Sequence, residues 1–208
     1  MTKKRTIVYI DGENFLHRVE ESLKSAKLIA KKEQILHFAV RDLLKASLYD
    51  LDPDEIRYYG TKIRTYDIKD EKILEYAQTM VESQRRFKRD LLNQGIEFIV
   101  AGSLRVREVT CFKCKKTSLV FKEKGVDVRL AVDLITESSK GVIQVIVSSD
   151  SDLLPAVRQA RVHGGEIVYA HHAEKPNYAL IKSSQETRVF TKSQIKQAYK
   201  ITNKKTRK

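Results

Sequence analysis

Short apolar runs alternate with longer amphipathic stretches along this chain. Thr6-Ile7-Val8-Tyr9-Ile10 is an apolar run stopped by Asp11-Gly12, the pattern of a buried strand. Two amphipathic stretches follow, the second with Leu36, Val40, Leu43, Leu44 and Leu48 at helical spacing. Asp52-Pro53-Asp54 marks a turn, and Ile56 to Gly60 reads as a second strand. The clearest helix runs from about Glu71 to Asn93. Its stripe is Ile73, Ala77, Met80, Val81, Phe87 and Leu91, and Gly95 stands just past its end, where a left-handed cap is expected. Ile96 to Val100, Val142 to Val147 and Ile167 to Ala170 are the third, fourth and fifth strands. Val126, Leu130, Ala131, Leu134 and Ile135 mark a helix between the third and fourth. Leu153 to Val162, closing at Gly164-Gly165, mark one between the fourth and fifth.

Strands that alternate with helices predict an α/β fold: a mostly parallel sheet of about five strands, with helices on both faces. Two segments break the rhythm. Gly102 to Lys124 is β-rich and basic and contains Cys111 and Cys114, the pattern of a hairpin inserted between the third strand and the next helix. From Thr191 the chain carries Lys192, Lys196, Lys200, Lys204, Lys205, Arg207 and Lys208 and no acid. The expected organisation is one domain over residues 1–190, with the hairpin at 102–124, followed by a basic tail over 191–208.

Composition narrows the function. The 208 residues are 41% hydrophobic, enough to bury a core. Lys plus Arg number 40 against 27 acids, a formal charge of +13, which points to a polyanionic partner, most often nucleic acid. The plain alternative is charge that serves solubility. No run approaches the roughly 18 apolar residues of a membrane span. The apolar stretch Ile7–Ile10 is too short for the core of a signal peptide. Two cysteines are no disulfide framework, so a reducing, cytoplasmic location is expected.

Against this basic background three acidic clusters stand out: Asp11-Gly12-Glu13-Asn14 after the first strand, Asp127 to Asp133 at the start of a helix, and Ser148-Ser149-Asp150-Ser151-Asp152 after the fourth strand. Taken singly, each acid reads first as a helix cap or a first-turn charge. Together they carry a further implication. Strand ends of one sense share one edge of a parallel sheet, and ligands bind on that edge. Carboxylates crowded there either take up a proton or hold a cation, and an all-oxygen set selects hard ions such as Mg²⁺ or Mn²⁺.

The segments IVYIDGENF, KGVDVRLAVDL and VIVSSDSDLLPAVRQARVHGGEIVYA, in this order, resemble the NYN domain of the PIN-like ribonuclease superfamily, over about Ile7 to Ala170. The third is the most specific, with an apolar strand, two serines, Asp-x-Asp and an apolar helix closing at Gly-Gly. The resemblance implies a three-layer α/β/α Rossmann-like fold with strand order 3-2-1-4-5, and metal-dependent hydrolysis of RNA. Asp11, Asp127, Asp150 and Asp152 match the acidic metal site. Asn14 matches a polar residue that orients a carboxylate or a phosphate. Asp133 lies six residues after Asp127, well round the helix, and reads as a supporting or surface charge. Ser148 and Ser149 are expected to bond to the carboxylates or to a phosphate, and Glu13 stays outside the ligand set. His17, His37 and His163 read as surface or packed side chains.

Arg105, Arg107, Lys113, Lys115, Lys116, Lys122 and Lys124 make the hairpin a candidate grip for a nucleic-acid backbone, with Phe112 and Phe121 as aromatic surface. The alternative is a solvated flap whose phenylalanines pack on the core. Cys111-Phe112-Lys113-Cys114 is half of a zinc site. His171-His172 would complete it if the hairpin folded back to the fifth strand, and a homodimer sharing two such pairs is a second route. Two incidental thiols are the simpler reading. The expected activity is that of a Mg²⁺- or Mn²⁺-dependent ribonuclease. An RNA-binding or adaptor module without turnover, or a nuclease for structured DNA, are the alternatives.

Overall fold

The computed structural model of the chain describes residues 4–31, 35, 37–66 and 68–205. Leu36 of the predicted apolar stripe, Arg207 and Lys208, and the side chains of Lys204 and Lys205, lie outside what is described.

The first strand, β1 (Arg5–Asp11), is buried from Thr6 to Ile10 and lies in the middle of the sheet. It is followed by α1 (Gly12–Ser25), α2 (Val40–Ser47), β2 (Glu55–Ile63), α3 (Glu71–Asn93), β3 (Glu97–Thr110), β4 (Thr117–Lys124) and α4 (Val126–Thr136). Then come β5 (Val142–Val147), a single 3-10 turn (Ser151–Leu153), α5 (Leu154–Val162), β6 (Glu166–His172), α6 (Tyr178–Ser183), β7 (Glu186–Phe190) and α7 (Lys192–Lys205). The sheet order is β4-β3-β2-β1-β5-β6-β7, and every pairing is parallel except that of β3 with β4.

Side chains alternate between the faces of each strand, and this sorts the core into two layers. Val8, Ile10, Val145, Val147 and Val168 pack under α1, α2, α3 and α7, through residues such as Phe15, Leu43, Phe87 and Ile195. Ile7, Tyr9, Ile146, Ile167 and Tyr169 pack under α4, α5 and α6, through Leu130, Val157 and Leu180. This is the three-layer α/β/α arrangement.

The strand count and order differ from those expected. Among the described residues the sheet has seven strands, because β4 and β7 extend it at its two edges. The expected hairpin over 102–124 is the outer half of β3, which runs on for 14 residues, paired antiparallel with β4. β7 reads as Glu-Thr-Arg-Val-Phe, too polar to stand out as a strand. It pairs with β6 from Val168↔Glu186 to His172↔Phe190. The segment expected to be a basic tail is α7. Its Ile195, Ala198 and Tyr199 are buried, while Lys192, Lys196 and Lys200 face solvent. The hydroxyl of Thr202 accepts the N–H of Ala39, which fastens the helix to the start of α2. Among the described residues no helix is long and apolar enough to cross a membrane.

Candidate active site

The chain leaves β1 toward β2 and β3 on one side, and β5, β6 and β7 lie on the other. The carboxyl ends of β1 and β5 therefore flank the switch point where open α/β sheets bind ligands. Three helical segments start at this edge, each with an acid at or beside its N-terminus. Asp11 caps α1, Asp127 stands in the first turn of α4, and Asp150 caps the 3-10 turn that leads into α5. Helix N-termini carry partial positive charge, which offsets the repulsion among the carboxylates.

Two glycines shape the approaches. A Cβ at Gly12 would lie 2.2 Å from the Tyr58 ring and 2.5 Å from Tyr59 O, so only glycine lets α1 start against β2. Gly125, with φ +93°, turns the chain from β4 into α4 in a conformation that side chains rarely adopt.

Ser148 and Ser149 stitch the two strand ends together. Ser148 Oγ donates to Asp11 Oδ2 over 2.8 Å and accepts the Asp150 N–H over 3.1 Å. Ser149 donates to Asn14 Oδ1 through its N–H at 3.1 Å and its hydroxyl at 3.0 Å. The Arg18 guanidinium donates to Ser149 Oγ, and Asn177 Nδ2 to Ser149 O, each over 3.2 Å. Burial pushes the Asp11 carboxyl above the usual range. The bonds from Ser148 and the Asn14 N–H pull it back, and the charges of Asp150 and Glu13 push it up again. Below this network a cavity of about 10 Å³ is lined by Asn14, Ser148, Ser149, His171 and His172. Burial first, then the charge of Arg18, push the His172 imidazole down to about 4, so it is neutral.

Asp11, Asp127 and Asp150 border one cleft of about 1030 Å³. Its far wall is Ala101, Ser103, Arg105 and Lys124, and its α4 wall includes Arg129 and Asp133. Asp133 is buried. It accepts from Tyr59 Oη at 3.0 Å and from Arg129 Nε at 2.8 Å, so it anchors an arginine at the cleft. The antiparallel register puts Ser103 with Lys124, Arg105 with Lys122 and Arg107 with Val120 on one face of the ribbon. A basic stripe of Lys124, Arg105, Lys122 and Arg107 therefore leads outward from the acids. Phe121 lies on the other face against Tyr76, with ring centroids 5.8 Å apart. Phe112 at the tip is 87% exposed, with Lys115 Nζ 4.7 Å from its ring centre. Lys113 and Lys116 also stand at the tip, away from the cleft walls.

Two expected site residues do not line the cleft. Asp152 is exposed and does not line the cleft. Asp150 caps the 3-10 turn in an extended conformation, whereas Asp152 lies inside the turn and donates its N–H to Asp150 Oδ1 over 2.9 Å. Asn14 also stays off the cleft wall, and its side-chain oxygen is committed to Ser149. Arg18, Arg129 and Asn177 are contributors that the pattern does not flag. The spacing of Arg129 and Asp133, four apart on one helix, is the single signal that points to any of them.

The donors fit a hard divalent ion in kind: oxygen ligands, one of them a carboxylate partly removed from water. They are not drawn into a tight cluster, since among the described residues no three His, Cys, Asp or Glu side chains are grouped closely enough to hold a metal ion.

An α/β/α domain with acids at the switch point beside β1 is consistent with a PIN-like fold. The chain belongs to the NYN domain family, whose model matches residues 5–191. In fold it is similar to a crystal structure of a protein of unknown function, VPA0982 from Vibrio parahaemolyticus RIMD 2210633. That similarity has a TM-score of 0.55 at 14% identity over 91% of this chain and 94% of the other. Comparison with curated proteins gives no match.

Proposed function

We propose that the protein is a ribonuclease that hydrolyses phosphodiester bonds with the help of a Mg²⁺ or Mn²⁺ ion. The observation that carries this reading is the cleft itself, with Asp11, Asp127 and Asp150 on one side and Arg105 and Lys124 on the other. Asp11 and Asp150 would hold the ion from the β1 and β5 ends, and Asp127 from the start of α4. When bound, the ion supplies a water that is acidic enough to attack at neutral pH, and charge stabilisation at the phosphate. The protein's own groups do the rest. Arg105, Lys122 and Lys124 bind the backbone phosphates that flank the scissile bond. Arg129, anchored by Asp133, adds a cation at the cleft wall. Ser148 keeps the Asp11 carboxylate oriented and more acidic than burial alone would leave it.

One observation favours a second reading, an RNA-binding module without turnover: the acids are not gathered into a metal cluster. Labelled single-stranded RNA and DNA incubated with Mg²⁺, Mn²⁺ or EDTA separate the readings. Cleavage of RNA with either ion and none with EDTA is expected. Tight binding of RNA that stays intact with both ions supports the binding module, and preferential cutting of DNA reassigns the substrate.

A further inference from the structure

The β3–β4 ribbon ends in a pair of groups that the cleft does not use. Cys111 and Cys114 stand at its tip as exposed, free thiols. The turn between them is closed by two backbone bonds of 2.9 Å, from the Cys111 N–H to Lys116 O and from the Lys115 N–H to Cys111 O. Lys115 completes it at φ +56°, a left-handed conformation uncommon outside glycine. The backbone N–H groups of Cys114 and Lys113 and the neighbouring Cys114 thiol hold the Cys111 thiol below its usual range. Donors aimed at a sulfur favour the thiolate, which is the form that ligates metal. A C-x-x-C turn built this way is half of a tetrahedral thiolate site.

The other half is not found among the described residues of the chain. The sequence contains two cysteines in all. His171 and His172 are buried at the end of β6, five places along the sheet from β4, which excludes them as completing ligands. Among the described residues no third ligand joins the pair.

A second copy of the chain would supply what is missing. An identical pair makes four thiolates, a set that structural zinc takes. Charge agrees, because a tetrathiolate zinc is anionic and Lys113, Lys115 and Lys116 of each copy would surround it. The surface agrees as well. Val109, Phe112 and Leu119 are 45%, 87% and 40% exposed around the tip, apolar area that a lone arm leaves in water. The ribbon from Arg107 to Val120 is exposed throughout, and an isolated two-stranded hairpin is marginal in water.

We infer that Cys111 and Cys114 form half of a tetrathiolate zinc site that the same pair of a second copy completes, joining two ribbons tip to tip. The inference does not depend on the ribonuclease reading. Zinc displaces the thiol protons of both pairs, and nothing is oxidised or reduced.

The test uses the full chain in thiol reductant, stripped with EDTA and then loaded with Zn²⁺, beside Cys111→Ser/Cys114→Ser. With zinc, light scattering is expected to give about twice the 24.0 kDa of one chain, and with EDTA a single chain. The wild type should hold about half an equivalent more zinc per chain than the variant, one ion per two chains. Co²⁺ in place of zinc should give the intense absorption of a tetrahedral thiolate complex in the wild type alone, a signal that the oxygen donors of the cleft do not produce. Both replaced side chains are exposed, so the variant should melt like the metal-free wild type. Absence of the thiolate signal, a full extra equivalent of zinc on a monomer, or a dimer that persists in the variant would each overturn the inference.

Discussion

The Ser148 hydroxyl donates to the Asp11 carboxylate across the ends of two neighbouring strands, 137 residues apart in sequence. That bond opposes burial, which on its own raises the Asp11 pKa. Ser148→Ala removes the opposing bond, so the carboxyl should hold its proton to higher pH. A protonated carboxyl is a poor cation ligand. The acid side of the pH–rate profile is therefore expected to move to higher pH in Ser148→Ala, with less change on the alkaline side. Profiles with Mn²⁺ saturating at each pH check this, and superimposable acid limbs would separate Ser148 from the chemistry.

Asp11 also bears on stability, with the opposite sign to a salt-bridged acid. Its folded carboxyl binds a proton more tightly than the unfolded one, so ionisation above that raised pKa works against the fold. Without divalent ions at neutral pH, Asp11→Asn should therefore melt higher than the wild type. A gain on the order of 1 kcal/mol corresponds to roughly 2–4 °C for a domain of this size. Addition of Mn²⁺ should raise the melting temperature of the wild type and leave that of the variant nearly unchanged. Scanning calorimetry with and without the ion decides both points.

His172 acts in the other direction. Folded, it titrates near 4 instead of 6.5, so between these pH values the unfolded chain binds the extra proton. Its contribution is fully present above pH 6.5 and is lost as pH falls toward 4, at up to about 1.4 kcal/mol per pH unit. His172 lies against Phe15 and Phe190, with ring centroids 6.0 and 5.4 Å away, so His172→Phe keeps an aromatic ring in place. Denaturant melts from pH 7 to pH 4 should show a shallower loss of stability in this variant.

The basic stripe should govern RNA affinity more than the ribbon tip does. Arg105, Lys122 and Lys124 share the face that enters the cleft, whereas Lys113, Lys115 and Lys116 stand at the tip. Arg105→Ala/Lys122→Ala/Lys124→Ala should weaken binding of a short RNA. It should also flatten the dependence of log affinity on log salt, by about 0.7 for each phosphate that the variant no longer neutralises. The tip triple variant should change the slope less. Equal slopes in the two variants would contradict this path for the strand.

The acids after β1 and β5 are legible in the sequence because a strand that ends in Asp announces both its boundary and its place on the sheet edge. The five inner strands are legible for the same reason: each is a run of apolar residues bounded by polar or glycine signals. β7 is not, since a half-exposed edge strand such as Glu186–Phe190 carries little apolar pattern. In α7 the lysines mask Ile195, Ala198, Tyr199 and Thr202, whose spacing is helical. Asp152 and Asp150 look alike in the motif because they are only two residues apart, but Asp150 caps the 3-10 turn and Asp152 lies inside it. Arg18 and Asn177 reach the Ser149 loop from distant segments, and such long-range bonds leave no local signature.

Single substitutions at the four aspartates test the central claim most directly. Initial rates of labelled RNA cleavage with Mn²⁺ should fall in Asp11→Asn, Asp127→Asn and Asp150→Asn by more than the roughly 10–100-fold typical of outer-shell partners. Binding of RNA should persist in all three. Asp152→Asn, outside the cleft walls, should cleave within a few-fold of the wild type. Wild-type rates in Asp11→Asn or Asp150→Asn, or a loss in Asp152→Asn as deep as theirs, would contradict the assignment of the cleft as the catalytic site.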